Sequence, residues 1–235
     1  MSDRLRRRLA LLDDVPEGQL LVHEVYRSLQ GESTHQGFPC VFVRLAVCDL
    51  RCTWCDTPHA FNQGEPRSLD ELVAEVGELQ APGSGSLVEL TGGEPLLQPA
   101  VHPLMTRLCD AGYQVLIETS GGRDIAPVDP RVRIIMDLKC PDSGEAESNR
   151  WQNIAHLRSK DEVKLVIASR GDFDWACDII ARHQLSDRCP LLFSAAWNKV
   201  ALAELAAWVT EASIPGARMQ LQLHKFVWGA DTQGV

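Results

Sequence analysis

Three cysteines at close spacing are the first residues in this sequence that suggest chemistry. Cys48, Cys52 and Cys55 form the pattern C-x3-C-x2-C, so one short loop can direct three thiolates at a single metal centre. A structural zinc ion accepts three Cys and one His, and His59 is close enough in sequence to be the fourth ligand. An iron–sulfur cubane usually takes four cysteines, so a cubane held by three keeps one iron open for another ligand. The three cysteines by themselves do not distinguish a zinc ion from an iron–sulfur cluster.

A glycine-rich motif follows downstream. The segment Thr-Gly-Gly-Glu-Pro at 91–95 comes directly after an apolar run that ends at Leu90. A Gly-Gly pair after a strand is often an ordinary turn, but it also lets the backbone approach a ligand closely. A structural zinc site needs no such second motif. The cysteine spacing followed by this segment resembles the radical S-adenosylmethionine (SAM) superfamily, in which the glycine-rich motif binds the amino end of SAM and the open iron holds its amino and carboxylate groups.

Short runs rich in Val, Ile and Leu provide the elements that would position these motifs. They predict buried strands at 20–25, 41–47, 87–90, 115–117, 132–136, 163–167, 190–193 and 219–223. Helical patterns lie at 68–79, 99–109, 173–184 and 198–212, and Ser68 with Glu71 predicts a capping box. Strands that alternate with helices predict an α/β domain with a parallel sheet, as a complete or partial barrel. We expect 61–67 and 141–148 to be loops over the active face.

Polar residues follow the predicted strands regularly. The cysteines follow the second strand and the glycine-rich segment follows the third. Further polar residues follow the fourth, fifth and last strands: Glu118, Ser120, Asp137, Lys139 and His224. Because active sites of parallel barrels lie at the carboxyl ends of the strands, we expect these residues to meet at one site.

Composition and charge restrict the class of protein. The chain has 235 residues, 45% hydrophobic and 23% charged, which predicts one globular domain with a substantial core. A net charge of −9 argues against a nucleic-acid partner, because phosphates require many basic contacts. The arginines within residues 1–10 are interpreted as a solvated arm. The apolar run behind them is too short for a signal peptide, and no run of about 18 apolar residues predicts a membrane span.

These features predict a soluble, cytoplasmic protein without a membrane partner. The eight cysteines should then be reduced thiols rather than a disulfide framework. Five of them are scattered singly, and we expect small core residues there: Cys40, Cys109, Cys140, Cys177 and Cys189.

Several segments narrow the resemblance to one family. Leu-Gln-Gly-Glu at 29–32 and the run 41–45 precede the cysteines, and Asp56 and Thr57 follow them. Ile-Glu-Thr-Ser-Gly at 117–121, Asp-Leu-Lys-Cys-Pro at 137–141 and Leu-His-Lys-Phe at 223–226 continue the pattern. Together they resemble the 7-carboxy-7-deazaguanine synthase family, over about 21–228. The resemblance implies a partial (β/α) TIM-type barrel of the radical SAM superfamily with mostly parallel strands. The chain would consist of an N-terminal extension, 1–19, followed by a single domain, 20–235. The protein would form a homodimer.

The resemblance also implies a reaction. The family converts 6-carboxy-5,6,7,8-tetrahydropterin into 7-carboxy-7-deazaguanine with release of ammonia, in queuosine and 7-deazapurine biosynthesis. It uses a 4Fe–4S cluster, SAM and Mg²⁺, with a flavodoxin- or ferredoxin-type reductant. One electron from the cluster cleaves SAM into methionine and a 5′-deoxyadenosyl radical, which takes hydrogen from C6 of the pterin. The ring contracts, the hydrogen is returned and SAM is regenerated.

Site residues follow from the same resemblance, position by position. Cys48, Cys52 and Cys55 would hold the cluster, and Thr57 would bind Mg²⁺. The pterin would contact Leu29, Gln30, Gly31, Glu32, Arg44, Thr91 and His224. SAM would contact Trp54, Cys55, Asp56, Gly93, Glu94, Glu118, Ser120, Asp137 and Lys139. Arg44 suits the pterin carboxylate, with an ion pair to Glu32 as the alternative. Asp137 and Lys139 could instead be a structural pair. Residues 194–197 and 227–235 receive no role.

Two other readings use the same cysteines. A glycyl-radical enzyme activase is also a small radical SAM protein, but it acts on a partner's backbone and needs neither Mg²⁺ nor the segment at 29–32. A non-enzymatic, zinc-stapled interaction module would need only the cysteines and His59.

Overall fold

The computed structural model describes residues 3–83 and 85–235, so residues 1 and 2 of the predicted N-terminal extension lie outside the described part. Its strands are β1 (Gln19–Leu29), β2 (Pro39–Leu45), β3 (Glu65–Ser68), β4 (Leu87–Gly92), β5 (Gln114–Thr119), β6 (Arg133–Leu138), β7 (Glu162–Ile167), β8 (Leu191–Ala195) and β9 (Ala217–Gln220). Its α-helices are α1 (Asp3–Leu9), α2 (Leu69–Leu79), α3 (Val101–Asp110), α4 (Arg170–His183), α5 (Leu202–Ala212) and α6 (Leu223–Val227).

The described strands form one nine-stranded sheet in the order β3-β1-β2-β4-β5-β6-β7-β8-β9. Each neighbouring pair from β2 to β9 is parallel, so the carboxyl ends of these strands lie along one edge. β3 and β9 are the two outer strands, and the sheet therefore stays open. The architecture is the mostly parallel, partial α/β barrel that the resemblance implied.

β1 departs from the predicted parallel arrangement, since it pairs antiparallel with both β2 and β3. Only residues 30–38 connect β1 to β2, and a parallel crossover needs about a dozen residues or more. β1 also continues beyond the predicted 20–25, because Tyr26 to Leu29 pair with β2. The predicted loop 61–67 contains the start of β3, while 141–148 holds two single-turn 3-10 helices, Pro141–Ser143 and Ala146–Ser148, and no strand or α-helix.

The helices cover the sheet through apolar faces. α2 begins at the predicted capping box, where Ser68 Oγ accepts from the Glu71 amide at 3.3 Å and Glu71 Oε2 accepts from the Ser68 amide at 2.8 Å. Its Leu72 and Val76 are fully buried in the main core, which stabilises the fold by about 1.5–3 kcal/mol for each side chain. This packing holds the parallel strands in place and fixes the edge at which the polar residues lie.

The N-terminal extension packs against the domain. Leu9, Leu11, Leu12 and Val15 contact a small apolar cluster of buried residues at 21, 46 and 47. The predicted solvated arm therefore fits the exposed Arg4, Arg6 and Arg7 but is wrong for Arg8, which is buried at the end of α1.

The singly placed cysteines are Cys40, Cys140 and Cys189, which are buried, and Cys109 and Cys177, which are half-buried beside the main core. All eight cysteines are free thiols. Among the described helices, none is long and apolar enough to cross a membrane.

Candidate active site

A cavity of about 220 Å³ opens at the carboxyl edge of the parallel strands. Its wall includes every residue that the resemblance placed at the site, with the exception of Glu94. It also contains residues without a predicted role, among them Glu24, Glu89, Lys164, Trp197, Gln222 and several of 230–235. Strand ends far apart in sequence thus meet at one cavity, as the order of polar residues predicted.

The glycine-rich segment packs directly on the chain that enters the cysteine loop. The Gly93 amide donates to Leu45 O at 3.0 Å, and the Glu94 amide donates to Val47 O at 2.9 Å. A Cβ at Gly93 would lie 2.1 Å from Val47 O, far inside van der Waals contact. Glycine is therefore needed at 93 so that the end of β4 can pack against the cysteine loop that follows β2.

Glu94 supports the cavity from behind. Its carboxylate is fully buried and accepts from the Ser120 amide at 2.8 Å, Ser120 Oγ at 2.6 Å and Thr119 Oγ1 at 2.8 Å. The predicted direct contact of Glu94 with SAM is not what the geometry gives, because these bonds direct the carboxylate to β5. Burial raises the pKa of Glu94, against the effect of the Ser120 hydrogen bonds. Glu94 thus fixes Ser120, which does line the cavity.

The three thiols lie together in an apolar cluster with Leu50 and Phe61. Burial raises the pKa of Cys48 to about 12 and also raises the pKa of Cys52 and Cys55. Without a bound cation these groups are protonated at neutral pH, so the loop is suited to a metal centre that stabilises thiolates.

The three thiols are not gathered as they would be on a single zinc ion. Zn–S bonds of about 2.3 Å bring all sulfurs on one ion within about 4.6 Å of each other. In the described ranges, the only set of three potential ligand atoms within 4.8 Å of one another is His23, Glu24 and His59. The cysteines are spread more widely, which fits separate irons of a cubane, and His59 is not grouped with them.

Arg8 of α1 holds the cysteine loop. Its Nη1 donates to Cys48 O at 3.0 Å and to Leu50 O at 3.4 Å, and its guanidinium lies 4.0 Å from the centroid of the Phe61 ring. Arg51 lies 4.5 Å from the same centroid. The basic N-terminal helix is thereby joined to the loop that carries the cluster ligands. Sequence reasoning missed this contact, because a buried arginine in a basic segment has no local signal.

A buried lysine at the centre of the cavity was also missed. Lys164 Nζ lies 2.9 Å from Glu32 Oε2 and 3.9 Å from Asp137 Oδ2, and it pairs closely with Glu118. Burial opposes its charged form, but Glu118 and Glu32 outweigh burial and raise the pKa of Lys164 well above its usual range. A lysine within the apolar strand run 163–167 was the available signal.

Asp137 and Lys139, for which the sequence allowed either contacts to SAM or a structural ion pair, do form an ion pair. Lys139 Nζ lies 2.8 Å from Asp137 Oδ2, and among the described residues Asp137 Oδ1 is a buried oxygen with no hydrogen-bond partner. An unsatisfied buried carboxylate oxygen is costly unless a ligand donates to it. Both residues line the cavity, so the pair is structural and also presents one open acceptor to a ligand.

Gln30 and Glu89 meet on the floor of the cavity. Gln30 Nε2 donates to Glu89 Oε2, and Gln30 Oε1 accepts from the Glu32 amide at 3.0 Å. Burial and the nearby Glu118 raise the pKa of Glu89 well above its usual range, which favours the protonated form of this carboxyl. Glu89 was not predicted, although a glutamate inside the apolar run 87–90 is an exception that could have identified it.

Arg44 has different partners from those weighed in the sequence. Its Nε donates to Glu24 Oε1 at 2.7 Å and its Nη2 to Tyr26 Oη at 2.8 Å. The alternative ion pair with Glu32 is wrong, because Glu32 pairs with Lys164 instead. The antiparallel β1 explains the difference, since it brings Glu24 directly opposite Arg44 in the sheet.

The segment at 29–32 and α6 are packed together. The Leu223 amide donates to Gly31 O at 2.9 Å, and a Cβ at Gly31 would lie 2.2 Å from His224 Nδ1. Burial lowers the pKa of His224, which keeps its imidazole neutral. Thr57 lines the same cavity, and its Oγ1 lies 3.8 Å from Cys55 Sγ. The predicted substrate segment, histidine and threonine are thus brought to one wall with the cysteine loop.

Known proteins resemble this chain in sequence and in fold. A family model described as the Radical SAM superfamily matches residues 43–142. A 7-carboxy-7-deazaguanine synthase of Koribacter versatilis is 46% identical over 228 residues, covering 91% of this chain and 99% of the relative. One of Chlorobaculum tepidum is 40% identical over 222 residues, covering 93% and 99%. The crystal structure of QueE from Escherichia coli shares the fold, with a TM-score of 0.71 at 21% identity, over 94% of this chain and 99% of that one.

Proposed function

The chain belongs to the 7-carboxy-7-deazaguanine synthase family of radical SAM enzymes, and from this we propose that its cavity binds 6-carboxy-5,6,7,8-tetrahydropterin and converts it into 7-carboxy-7-deazaguanine with release of ammonia. A radical SAM enzyme of this family uses a 4Fe–4S cluster and SAM. The product belongs to queuosine and 7-deazapurine biosynthesis. The observation that carries the proposal is the meeting of the cysteine loop, the glycine-rich segment and the segment at 29–32 at one cavity.

The cysteine loop is proposed to hold the cluster. When bound, the cluster and SAM supply a 5′-deoxyadenosyl radical that takes a hydrogen atom from the pterin. Cys48, Cys52 and Cys55 provide three ligands, so one iron remains for SAM. Arg8 and Phe61 keep water and loop motion away from the thiolates, and the main-chain bonds of Gly93 and Glu94 fix the loop against β4.

SAM is proposed to lie between the cysteine loop and the ends of β4 to β6. The open oxygen of Asp137 accepts a hydrogen bond from the cofactor, and Ser120, oriented by Glu94, offers a hydroxyl beside it. Glu118 suits the ribose hydroxyls, while Lys164 balances its charge. Trp54, Cys55, Asp56, Gly93 and Lys139 are the other cavity residues assigned to SAM. Holding both reactants at fixed positions is what the protein contributes to the rate.

The pterin is proposed to lie against the opposite wall. Arg44 pairs with its carboxylate, because a guanidinium held by Glu24 and Tyr26 is fixed in position and remains charged. Gln30, with Glu89 behind it, and the backbone at Leu29 and Gly31 contact the ring edge. Glu32, Thr91 and neutral His224 complete the wall. Glu32 and Glu118 offer carboxylate oxygens to the cavity, and such acceptors suit a ring with several N–H groups.

Thr57 is proposed to bind Mg²⁺ through its hydroxyl, together with substrate oxygens and waters. Mg²⁺ takes oxygen ligands and keeps much of its hydration, so one protein oxygen is a reasonable share. Thr57 follows Cys55 and Asp56 directly and lines the same cavity as Arg44, so an ion there can reach a carboxylate that Arg44 holds.

The electron donor is proposed to be a flavodoxin- or ferredoxin-type protein that approaches α1. Arg4, Arg6 and Arg7 are exposed on this helix, and Arg8 links it to the carbonyls of Cys48 and Leu50. The surface stands out in a chain of net charge −9 and lies beside the proposed cluster. An acidic carrier is steered to such a surface. A homodimer, a cytoplasmic location and the division at residue 20 remain predictions.

The test is turnover under anaerobic conditions. Reduced protein with reconstituted cluster, SAM, Mg²⁺ and the carboxytetrahydropterin should yield 7-carboxy-7-deazaguanine by mass spectrometry. Protein that cleaves SAM but leaves the pterin unchanged would contradict the proposal. Zinc at one per chain without sulfide would contradict the cluster itself. Thr57→Ala should retain iron and sulfide but lose the response to Mg²⁺.

A further inference from the structure

A compact set of metal-ligating side chains lies at the rim of the cavity, apart from the cysteines. Ligand atoms of His23, Glu24 and His59 all lie within 4.8 Å of one another. No local sequence pattern indicates this set, because 35 residues lie between the two histidines. Glu24 and His59 line the cavity, and all three side chains are half-buried, so solvent can reach the group.

A β-bulge brings the first two ligands together. The pairing of β1 with β2 shifts between Val22, opposite Leu45, and Glu24, opposite Arg44, which leaves His23 as the extra residue. In a regular strand, neighbouring side chains point to opposite faces. A bulge breaks this alternation and re-aims a side chain, so His23 and Glu24 can both approach His59.

Hydrogen bonds orient two of the ligands as metal sites require. His23 Nδ1 lies 3.0 Å from Gln63 O, and since a carbonyl only accepts, Nδ1 carries the proton and Nε2 keeps its lone pair. Metal-bound histidines commonly have their second nitrogen held by such an acceptor. Glu24 Oε1 accepts from Arg44 Nε at 2.7 Å, which leaves Oε2 for an ion. The His59 ring is 5.1 Å from the His23 ring.

We propose that His23, Glu24 and His59 bind one divalent transition-metal ion of the Zn²⁺ type, distinct from the Mg²⁺ at Thr57. Two imidazoles and one carboxylate form a three-ligand set that leaves a coordination position open. Imidazole suits Zn²⁺, Co²⁺ and Ni²⁺, whereas Mg²⁺ prefers oxygen ligands. The ligand atoms need only side-chain rotation to reach bonding distance, since the backbone already places them together.

The bound ion affects the neighbouring Arg44, a consequence that rests on the proposed function. Glu24 is the carboxylate that fixes Arg44, and an ion on Glu24 weakens that ion pair and adds positive charge beside it. Because Arg44 loses the partner that fixes its position, Zn²⁺ changes KM for the carboxylated pterin more than it changes kcat. The binding itself does not depend on the reaction and can be measured without substrate.

The experiment uses chelator-treated protein with an intact 4Fe–4S cluster, so that the cluster cysteines are occupied. Isothermal titration with Zn²⁺ should give one ion per chain, and excess Mg²⁺ should not displace it. His59→Ala and His23→Ala should each weaken binding by at least about tenfold, the loss typical even of outer-shell changes at metal sites. His156→Ala is the matched control, since His156 is exposed outside the cavity, and it should bind as wild type.

Zinc X-ray absorption of the loaded protein identifies the ligands. A shell of nitrogen and oxygen that loses nitrogen in His59→Ala supports the site. A sulfur-rich shell, or equal binding by His59→Ala and wild type, would overturn it. If Zn²⁺ binds as stated but no pterin is ever converted, the metal site stands and the proposed function fails.

Discussion

At the scale of single residues, Lys164 joins three carboxylates of the cavity through one buried ammonium group. It is the cation shared by Glu32, Glu118 and Asp137, and its side chain is only 6% exposed. The carboxylates on both sides of the cavity, those assigned to the pterin and those assigned to SAM, therefore depend on one ammonium group. Removing one partner from a buried charge group leaves the others uncompensated, which is more costly than the intact group is stabilising.

Lys164→Met tests this role. We expect the free energy of unfolding to fall by about 3 kcal/mol, because two or three carboxylates lose their counter-ion. SAM binding, followed by equilibrium dialysis with the reconstituted protein, should weaken by more than about tenfold, corresponding to about 1.4 kcal/mol. Lys199→Met is the control, since Lys199 is exposed outside the cavity. Unchanged SAM affinity in Lys164→Met would show that Glu118 does not face the cofactor.

Glu89 should make the free energy of unfolding depend on pH, and the direction of its pKa shift sets the sign. Its folded pKa is raised well above the value in an unfolded chain by burial and by Glu118. The folded state therefore holds a proton that the unfolded state releases, and the contribution of Glu89 to stability is full below about pH 4.3 and decreases as pH rises towards the folded pKa. Glu89→Gln removes this titration while keeping a similar shape.

We therefore expect Glu89→Gln to be more stable than wild type at pH 7.5, by at least about 1 kcal/mol, and the difference to shrink at pH 5. Thermal unfolding of the reconstituted protein at both pH values measures this. A difference that is constant with pH, or that grows towards pH 5, would show that Glu89 is ionised in the folded protein.

At the scale of elements, the contact between β4 and the cysteine loop is steric. Gly93→Ala places a methyl group where the Val47 carbonyl lies, and neither the strand nor the loop can shift without breaking the bonds of Gly93 and Glu94. Overpacking of this kind costs about 1–3 kcal/mol or more. We expect iron and sulfide content after reconstitution to fall several-fold, since the loop loses its geometry.

Gly77→Ala is the matched control for this substitution. Gly77 is in α2, and the nearest atom to its added Cβ is Tyr113 Oη at 3.7 Å, so there is room for a methyl group. Alanine should stabilise the helix by about 0.5–1 kcal/mol. If Gly93→Ala reconstitutes a full cluster as Gly77→Ala does, the loop does not depend on this contact.

α1 carries the prediction about the electron donor. Replacing Arg4, Arg6 and Arg7 by Glu reverses its exposed charge but keeps Arg8 and the cluster loop. Reduction by a flavodoxin should slow by about tenfold or more at low salt, as steered association does when charges are reversed, and the difference should disappear at high salt. Turnover with dithionite should be unchanged. The same reversal at Arg182, Arg188 and Lys199 is the control. Equal loss in both triple variants would argue against a local docking surface.

The elements also show what sequence patterns can and cannot predict. The capping box at Ser68, the helices α2 to α5, and the strands β2 and β4 to β9 follow local periodicity, and the structure confirms them within a few residues, whereas β3 lies in a segment predicted as a loop. The antiparallel pairing of β1 was not predicted from the periodicity, although the length of the connection 30–38 already favours an antiparallel pair. Arg8 and the pairing of Glu24 with Arg44 depend on contacts between distant segments, which no local pattern records.

At the scale of the whole molecule, the fold brings segments from residue 8 to residue 235 to one edge of the open sheet. The motifs predicted that edge correctly, because residues after parallel strands must lie there. Glu89 and Lys164 were missed for one reason: both lie inside strands and face the cavity from within. A charged residue in an apolar strand run is the general signal for such positions, since burial without a partner is unfavourable.

The most direct test of the central claim is the product yield per SAM in an anaerobic reaction with limiting SAM and excess pterin. If the cavity performs ring contraction with SAM regenerated, each chain should form many molecules of 7-carboxy-7-deazaguanine, each with one ammonia, and product should exceed the SAM supplied. If 5′-deoxyadenosine accumulates while the pterin stays intact, the proposed ring contraction is contradicted.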